Sequence, residues 1–203
     1  MTAEYPHDLQ EVIRFHGHVC PGLAIGYRAA KAARARLEVS RPEDEELVAI
    51  VESDGCGIDA IQALLGCTLG KGNLIYRDHG KQVYTLISRE RGRAVRVAAK
   101  PGSFRRTPEQ EAVFQKYMSG EASDEERQSF RALQEERVKE LLEADLDDLF
   151  TITDVSPEVP DRARIFKSVV CEQCGEAVME PRARVRNGKF ACIPCSENYS
   201  RGW

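Results

Sequence analysis

The chain has 203 residues, 42% hydrophobic and 31% charged, which suits one packed domain with a small appendage and excludes wholesale disorder. A formal net charge of −4 gives no drive toward nucleic acid or an anionic membrane surface, and neither is expected as a partner. No apolar run approaches the roughly 20 residues of a membrane helix, and the opening MTAEYPHDLQEV lacks the features of a signal peptide, so a cytoplasmic location is expected.

Leu9, Val12, Ile13 and His16 predict a short helix over 8–16. A second helix is expected from Pro21 to about Leu37, with proline in its first turn and many alanines after it. Gly22 and Gly26 within that run predict close packing against another element. After a polar turn at 41–46, Leu47–Val51 reads as a buried strand, and Ile58–Leu65 as a helix stopped by Gly66. Three strand candidates follow, Asn73–Tyr76, Gln82–Ser88 and Ala94–Ala98, and the turns between them predict an antiparallel meander.

Two capping boxes come next, Thr107-Pro108-Glu109-Gln110 and Ser123-Asp124-Glu125-Glu126, each opening a helix. The second helix has an apolar stripe of Phe130, Leu133, Val138, Leu141 and Leu142. A strand over 150–155 and a proline-containing linker close the main domain. The expected fold is α+β, with mixed helices around an antiparallel-rich sheet over residues 1–165 and a small zinc ribbon over 166–203.

Seven cysteines are many for a reducing compartment, and their spacing favours metal or catalytic use over disulfides. Cys171-x-x-Cys174 and Cys192-x-x-Cys195 are separated by seventeen residues, a spacing that fits tetrahedral Zn²⁺. The alternative, two redox CxxC motifs, lacks the supporting fold pattern. A closed set of four thiolates is structural, and so short a segment would draw most of its folding energy from the metal. Asn187-Gly188 predicts a hairpin between the pairs. Arg182, Arg184 and Arg186 alternate and would share one face of a strand, either to touch phosphates or an acidic partner, or simply as a solvated edge.

The second cluster is Phe15-His16-Gly17-His18-Val19-Cys20-Pro21-Gly22. In an extended segment His16, His18 and Cys20 would point to one side. Imidazole and thiolate together suit Zn, Fe, Ni or Cu. Cys20 precedes one helix and Cys56 another, where N–H groups and the helix dipole would lower a thiol pKa. Asp59 lies one turn beyond Cys56. His16, His18, Cys20 and Cys56 are therefore candidate ligands for a second transition metal, with Cys20, Cys56, His18 and Asp59 as candidate catalytic groups. A hydrogen-bonded core histidine and buried structural cysteines would give the same pattern. Cys67, at a helix end, reads as core. Lys71, in Gly70-Lys71-Gly72-Asn73, is a candidate cofactor-binding cation, although a lysine in a turn is commonly solvated. His7 and His79 read as surface residues.

The segment from Phe15 to Ala30 resembles the signature of the FmdE family, named for a component of formylmethanofuran dehydrogenase. Asp54–Gln62 and Gly66–Leu74 resemble its second block, with Leu65 standing where threonine is expected, and the ribbon resembles the zinc finger that many members carry. Residues 107–148 carry no motif of the family. The resemblance implies a homodimeric α+β core with a metal or active-site cleft lined by the two blocks. It also implies association with subunits of a molybdenum or tungsten enzyme, in one-carbon chemistry that forms formylmethanofuran from CO₂ or oxidises it to CO₂. The chain shows no molybdopterin-binding or iron–sulfur pattern of its own. It reads as an enzyme or accessory subunit; the alternative is a non-catalytic adaptor or regulator whose ribbon holds protein or nucleic acid.

Overall fold

In the computed structural model, which describes residues 5–196, the chain opens with α1 (His7–His16), closed by Gly17 in a left-handed conformation. That conformation, φ 99°, is one a side chain with a β-carbon rarely adopts, so the helix stops where glycine allows it. Helix α2 (Pro21–Leu37) then starts with Cys20 as its N-cap and proline in the first turn. Ten of its residues are buried, so it is a central helix rather than a surface one.

Strand β1 (Leu47–Val51), α3 (Gly57–Leu65) and β2 (Leu74–Tyr76) follow, then β3 (Val83–Ser88) and β4 (Arg93–Ala99). The capping-box helices are α4 (Pro108–Met118) and α5 (Asp124–Glu143). A single turn, α6 (Leu146–Leu149), leads into β5 (Phe150–Val155).

The five strands lie in the order β2-β1-β3-β4-β5. The expected meander is corrected at its first strand. β2 pairs in parallel with β1, with Ala49 opposite Leu74, whereas the pairs β1–β3, β3–β4 and β4–β5 are antiparallel. A parallel pair needs a crossover, and α3 with its following loop supplies one.

Alternation divides the sheet into two faces. Leu47, Ala49, Val51, Tyr84, Leu86, Val95 and Val97 join α2 and α3 in the main core, whereas Val48, Ile50, Ile87 and Ala94 form a smaller cluster on the other face. Arg28, on α2, donates to the carbonyls of Leu141, Leu142 and Ala144 and so ties down the C-terminal end of α5. A cation satisfying helix-end carbonyls is favoured by both hydrogen bonding and the helix dipole.

A second unit begins at Ala163. Strands β6 (Ser168–Val170) and β7 (Ala177–Met179) form one hairpin, and β8 (Arg184–Arg186) and β9 (Lys189–Ala191) another. Asn187 and Gly188 both have positive φ, as the tight second turn demands. Arg182 lies in a 3₁₀ turn, so the expected one-faced triad reduces to Arg184 and Arg186 on the strand. Among the described residues, no helix is long and apolar enough to cross a membrane.

Candidate functional site

The core site depends on three glycines. A β-carbon on Gly26 would lie 2.3 Å from the Gly57 α-carbon, so α2 and the start of α3 touch backbone to backbone. At Gly22 an added β-carbon would sit 3.3 Å from Cys56 Cβ and 3.6 Å from its sulfur. This approach brings the N-terminal ends of two helices, and the cysteines that cap them, to one place.

His16, the last residue of α1, completes the group. Its Nε2 is 3.9 Å from Cys20 Sγ, and ligand atoms of His16, Cys20 and Cys56 all lie within 4.8 Å of one another. On the opposite ring edge, Nδ1 is 2.6 Å from Asp59 Oδ2, and Gln62 donates to Asp59 Oδ1 at 3.2 Å. The carboxylate assigns the ring proton to Nδ1 and leaves the Nε2 lone pair facing the thiols, the usual support of a metal-ligating histidine. Tetrahedral Zn²⁺ with one nitrogen and one sulfur ligand would separate them by about 3.6 Å, so the donor set fits a borderline-soft transition metal with little adjustment.

Burial decides the state of Cys20 without a cation. The Leu23 N–H donates to its sulfur at 3.4 Å, as a helix N-terminus should, and favours the thiolate. Burial outweighs that bond and, with Cys56 alongside, pushes the thiol up to about 11. At Cys20 the expected lowering of the thiol pKa is therefore overturned by burial. Tyr84, which sequence reasoning missed, lies beneath: burial and then the charge of Cys56 raise its hydroxyl to about 12. Its oxygen would stand 2.2 Å from a β-carbon on Gly57, and among the described residues it has no hydrogen-bond partner. A period-2 strand reading marks Tyr84 only as inward-facing core.

The remaining sequence candidates are not among the converging ligands. His18 is exposed, its ring tilted beside that of His16 at 4.6 Å between centroids, and it is not among the converging ligands. The helix end at His16 and the Gly17 turn break the extended geometry that would have aligned all three side chains. Lys71 is not brought to this centre: its ammonium donates to the Glu43 and Asp44 carbonyls at 3.3 and 3.1 Å. Cys67 is fully buried, and burial raises its thiol to about 12.

A cavity of 320 Å³ opens beside Cys20, Pro21 and Gly22. Its other walls come from Ile25 of α2, Gln82 just before β3, and α4, α5 and the segment leading into α4, and the last three carry no motif of the family.

In the second unit the sulfurs of Cys171, Cys174, Cys192 and Cys195 lie within 4.8 Å of one another, with Cys174 and Cys192 at 3.9 Å. Zinc–sulfur bonds of about 2.3 Å in a tetrahedron give sulfur separations of about 3.8 Å, so four thiolates fit Zn²⁺ and leave no open position. Backbone N–H groups of Cys174 and Cys192 point at Cys171 and draw its thiol down to about 6.

These features define a two-unit protein: an α+β core with a thiol–imidazole cluster, and a structural C4 zinc ribbon. The family model for FmdE, molybdenum formylmethanofuran dehydrogenase operon, matches residues 15–151, and the chain belongs to that family. Residues 164–201 match the prokaryotic dksA/traR C4-type zinc finger. Over 92% of this chain and 89% of the other, the fold is similar, at TM-score 0.60 and 28% identity, to a tungsten formylmethanofuran dehydrogenase FmdE-like protein from Syntrophus aciditrophicus. A probable S-adenosyl-L-methionine-binding protein of Archaeoglobus fulgidus is 34% identical across 91% of this chain. The chain spans about half (51%) of the length of that relative.

Proposed function

We propose that His16, Cys20 and Cys56 hold a transition-metal ion, and that the protein is an enzyme or accessory subunit in formylmethanofuran dehydrogenase-type one-carbon metabolism. The observation that carries the metal reading is the convergence of one imidazole nitrogen and two thiols with Asp59 bonded behind the imidazole. Family membership and the similarity to an FmdE-like protein support the metabolic assignment. The proposal includes a homodimer working beside molybdenum or tungsten enzyme subunits in the cytoplasm, as the resemblance to the family implies.

When bound, such an ion supplies Lewis acidity. The chain's own residues would then have distinct tasks. Asp59, steadied by Gln62, holds the imidazole in one tautomer. Cys20 and Cys56 give up their protons on ligation. Tyr84 keeps its proton at neutral pH and offers an unpartnered donor close to Gly57.

Elemental analysis of the purified full-length chain and of Cys20→Ser, Cys56→Ser and Cys174→Ser tests this reading. Two metal equivalents are expected in the parent. The first two variants should lose the core equivalent and keep the ribbon's, whereas the third should lose the ribbon's. Unchanged stoichiometry in both Cys20→Ser and Cys56→Ser would overturn the core site.

A further inference from the structure

We propose that the cavity beside Cys20 binds a small organic carboxylate with an apolar body, and that this is the substrate class of the core centre; the second part rests on the metal reading above. At 320 Å³ the cavity is at the small end of ligand pockets. Cys20, Pro21 and Gly22 form one wall, so a molecule seated there lies beside Cys20. Ile25, Phe104, Leu133 and Leu141 supply apolar surface for its body.

Two guanidiniums, Arg106 and Arg137, also line the cavity, and both are held in place. Arg106 lies over the Phe114 ring at 3.7 Å and reaches Glu111 at 3.2 Å. Arg137 donates to the Arg105 carbonyl at 2.7 Å and reaches Glu140 at 3.3 Å. Each guanidinium has five N–H groups, so donors remain for a planar acceptor. Each also faces one carboxylate already, which leaves little surplus positive charge. That balance suits a monoanionic carboxylate better than a phosphate dianion. Gln82, Gln110 and Gln134 complete the lining; Gln110 already accepts from the Thr107 N–H, whereas among the described residues the side-chain amides of Gln82 and Gln134 have no partner. They provide donors and acceptors for a polar group along the ligand.

Calorimetric titration of the full-length metal-loaded protein with hexanoate, hexanamide and inorganic phosphate tests the proposal. Hexanoate should bind about tenfold more tightly than hexanamide, a difference set by the charge-assisted bonds to arginine. Arg106→Gln and Arg137→Gln should each remove most of that preference while core metal content stays unchanged. The comparison of acid with amide on the parent protein needs no variant, and Arg106→Gln changes an exposed side chain. Equal affinity for acid and amide, an unaltered preference in both variants, or phosphate competing as well as hexanoate would overturn the pocket assignment. Metal content is measured on the same samples. Failure of hexanoate to bind protein holding two metal equivalents sinks the pocket alone, whereas selective hexanoate binding to protein that takes up only the ribbon metal sinks the metal reading and its substrate link, leaving a carboxylate pocket.

Discussion

Gly26 of α2 and Gly57 of α3 stand so close that a β-carbon on the first would lie 2.3 Å from the α-carbon of the second. Backbone cannot rotate away as a side chain can, so Gly26→Ala must drive the two helices apart. Overpacking of this kind costs about 1–3 kcal/mol, and contact with backbone places this variant at the upper end. Because the same contact brings Cys20 to Cys56, the variant should also lose the core metal while the ribbon keeps its own. Urea unfolding and metal analysis of the one preparation check both effects; a variant with parental stability and two metals would show that the contact does not set the site.

Gly57 meets a different neighbour, the Tyr84 hydroxyl, which would lie 2.2 Å from a β-carbon added there. Removing that oxygen should make room. Gly57→Ala is therefore expected to be less damaging in a Tyr84→Phe background, with a coupling of about 1 kcal/mol, since residues in direct contact depart from additivity by that order. Part of the strain stays, because the Gly22 carbonyl and Gly26 Cα are also within 3.2 Å. Strict additivity in denaturant titrations of the four proteins would place the conflict at those backbone atoms.

How legible this arrangement was depends on how local its causes are. The helix ends at Gly17 and Gly66, the capping boxes at Thr107 and Ser123 and the Asn187-Gly188 turn follow from residue types acting within a few positions. The pairing of His16 with Cys20 was half legible. Both residues were candidates, but an every-second-residue pattern assumes extended backbone, and past the left-handed turn at Gly17 the His18 ring lies beside that of His16 without joining the converging ligands. Tyr84 and the arginine-lined cavity were not legible, because their meaning comes from elements far apart in sequence. The parallel pairing of β2 was hidden for the same reason: its partner lies across a helix and not across a turn.

Arg28 carries a prediction about α5. Its guanidinium serves three carbonyls at the end of that helix, with 2.8 Å to Leu141 and 2.5 Å to Ala144. Arg28→Ala should destabilise the protein by about 2–3 kcal/mol, the range for losing charge-assisted bonds to partly buried acceptors. Arg28→Lys should recover only part of this, since a point charge cannot span three carbonyls as a planar fork does. Because α5 also carries Leu133, Arg137 and Leu141 of the cavity, amide exchange in α5 should rise more than in β3. Uniform exchange across both elements would argue that Arg28 supports the whole core equally.

Zinc removal should act on the ribbon through folding. Cys171, Ala191 and Cys192 make up its small buried cluster, too little apolar area to hold four short strands unaided. Cys174→Ser, or a strong chelator, should collapse the amide dispersion of residues 168–191 toward random-coil values. Retained dispersion in metal-free protein would mean that the hairpins stand without the ion.

Acid should weaken the junction between α1 and α2 through Asp8. Burial alone would raise its carboxyl, but hydrogen bonds from Lys31 at 2.7 Å and Tyr27 at 2.8 Å outweigh it and hold the pKa below the usual 3.8. A lowered carboxylate pKa stabilises the fold above its ordinary value and loses that contribution as pH falls through the native one, so the effect is complete at neutral pH and fades below about pH 4. Asp8→Asn should therefore be less stable than the parent at pH 7. With Asp8 and Lys31 both partly exposed, screening limits the difference to about 0.5 kcal/mol. The gap should narrow toward pH 3, because the parent carboxylate is then being protonated as well. Thermal unfolding of both proteins at the two pH values measures it, and a gap that widened on acidification would contradict the assigned direction.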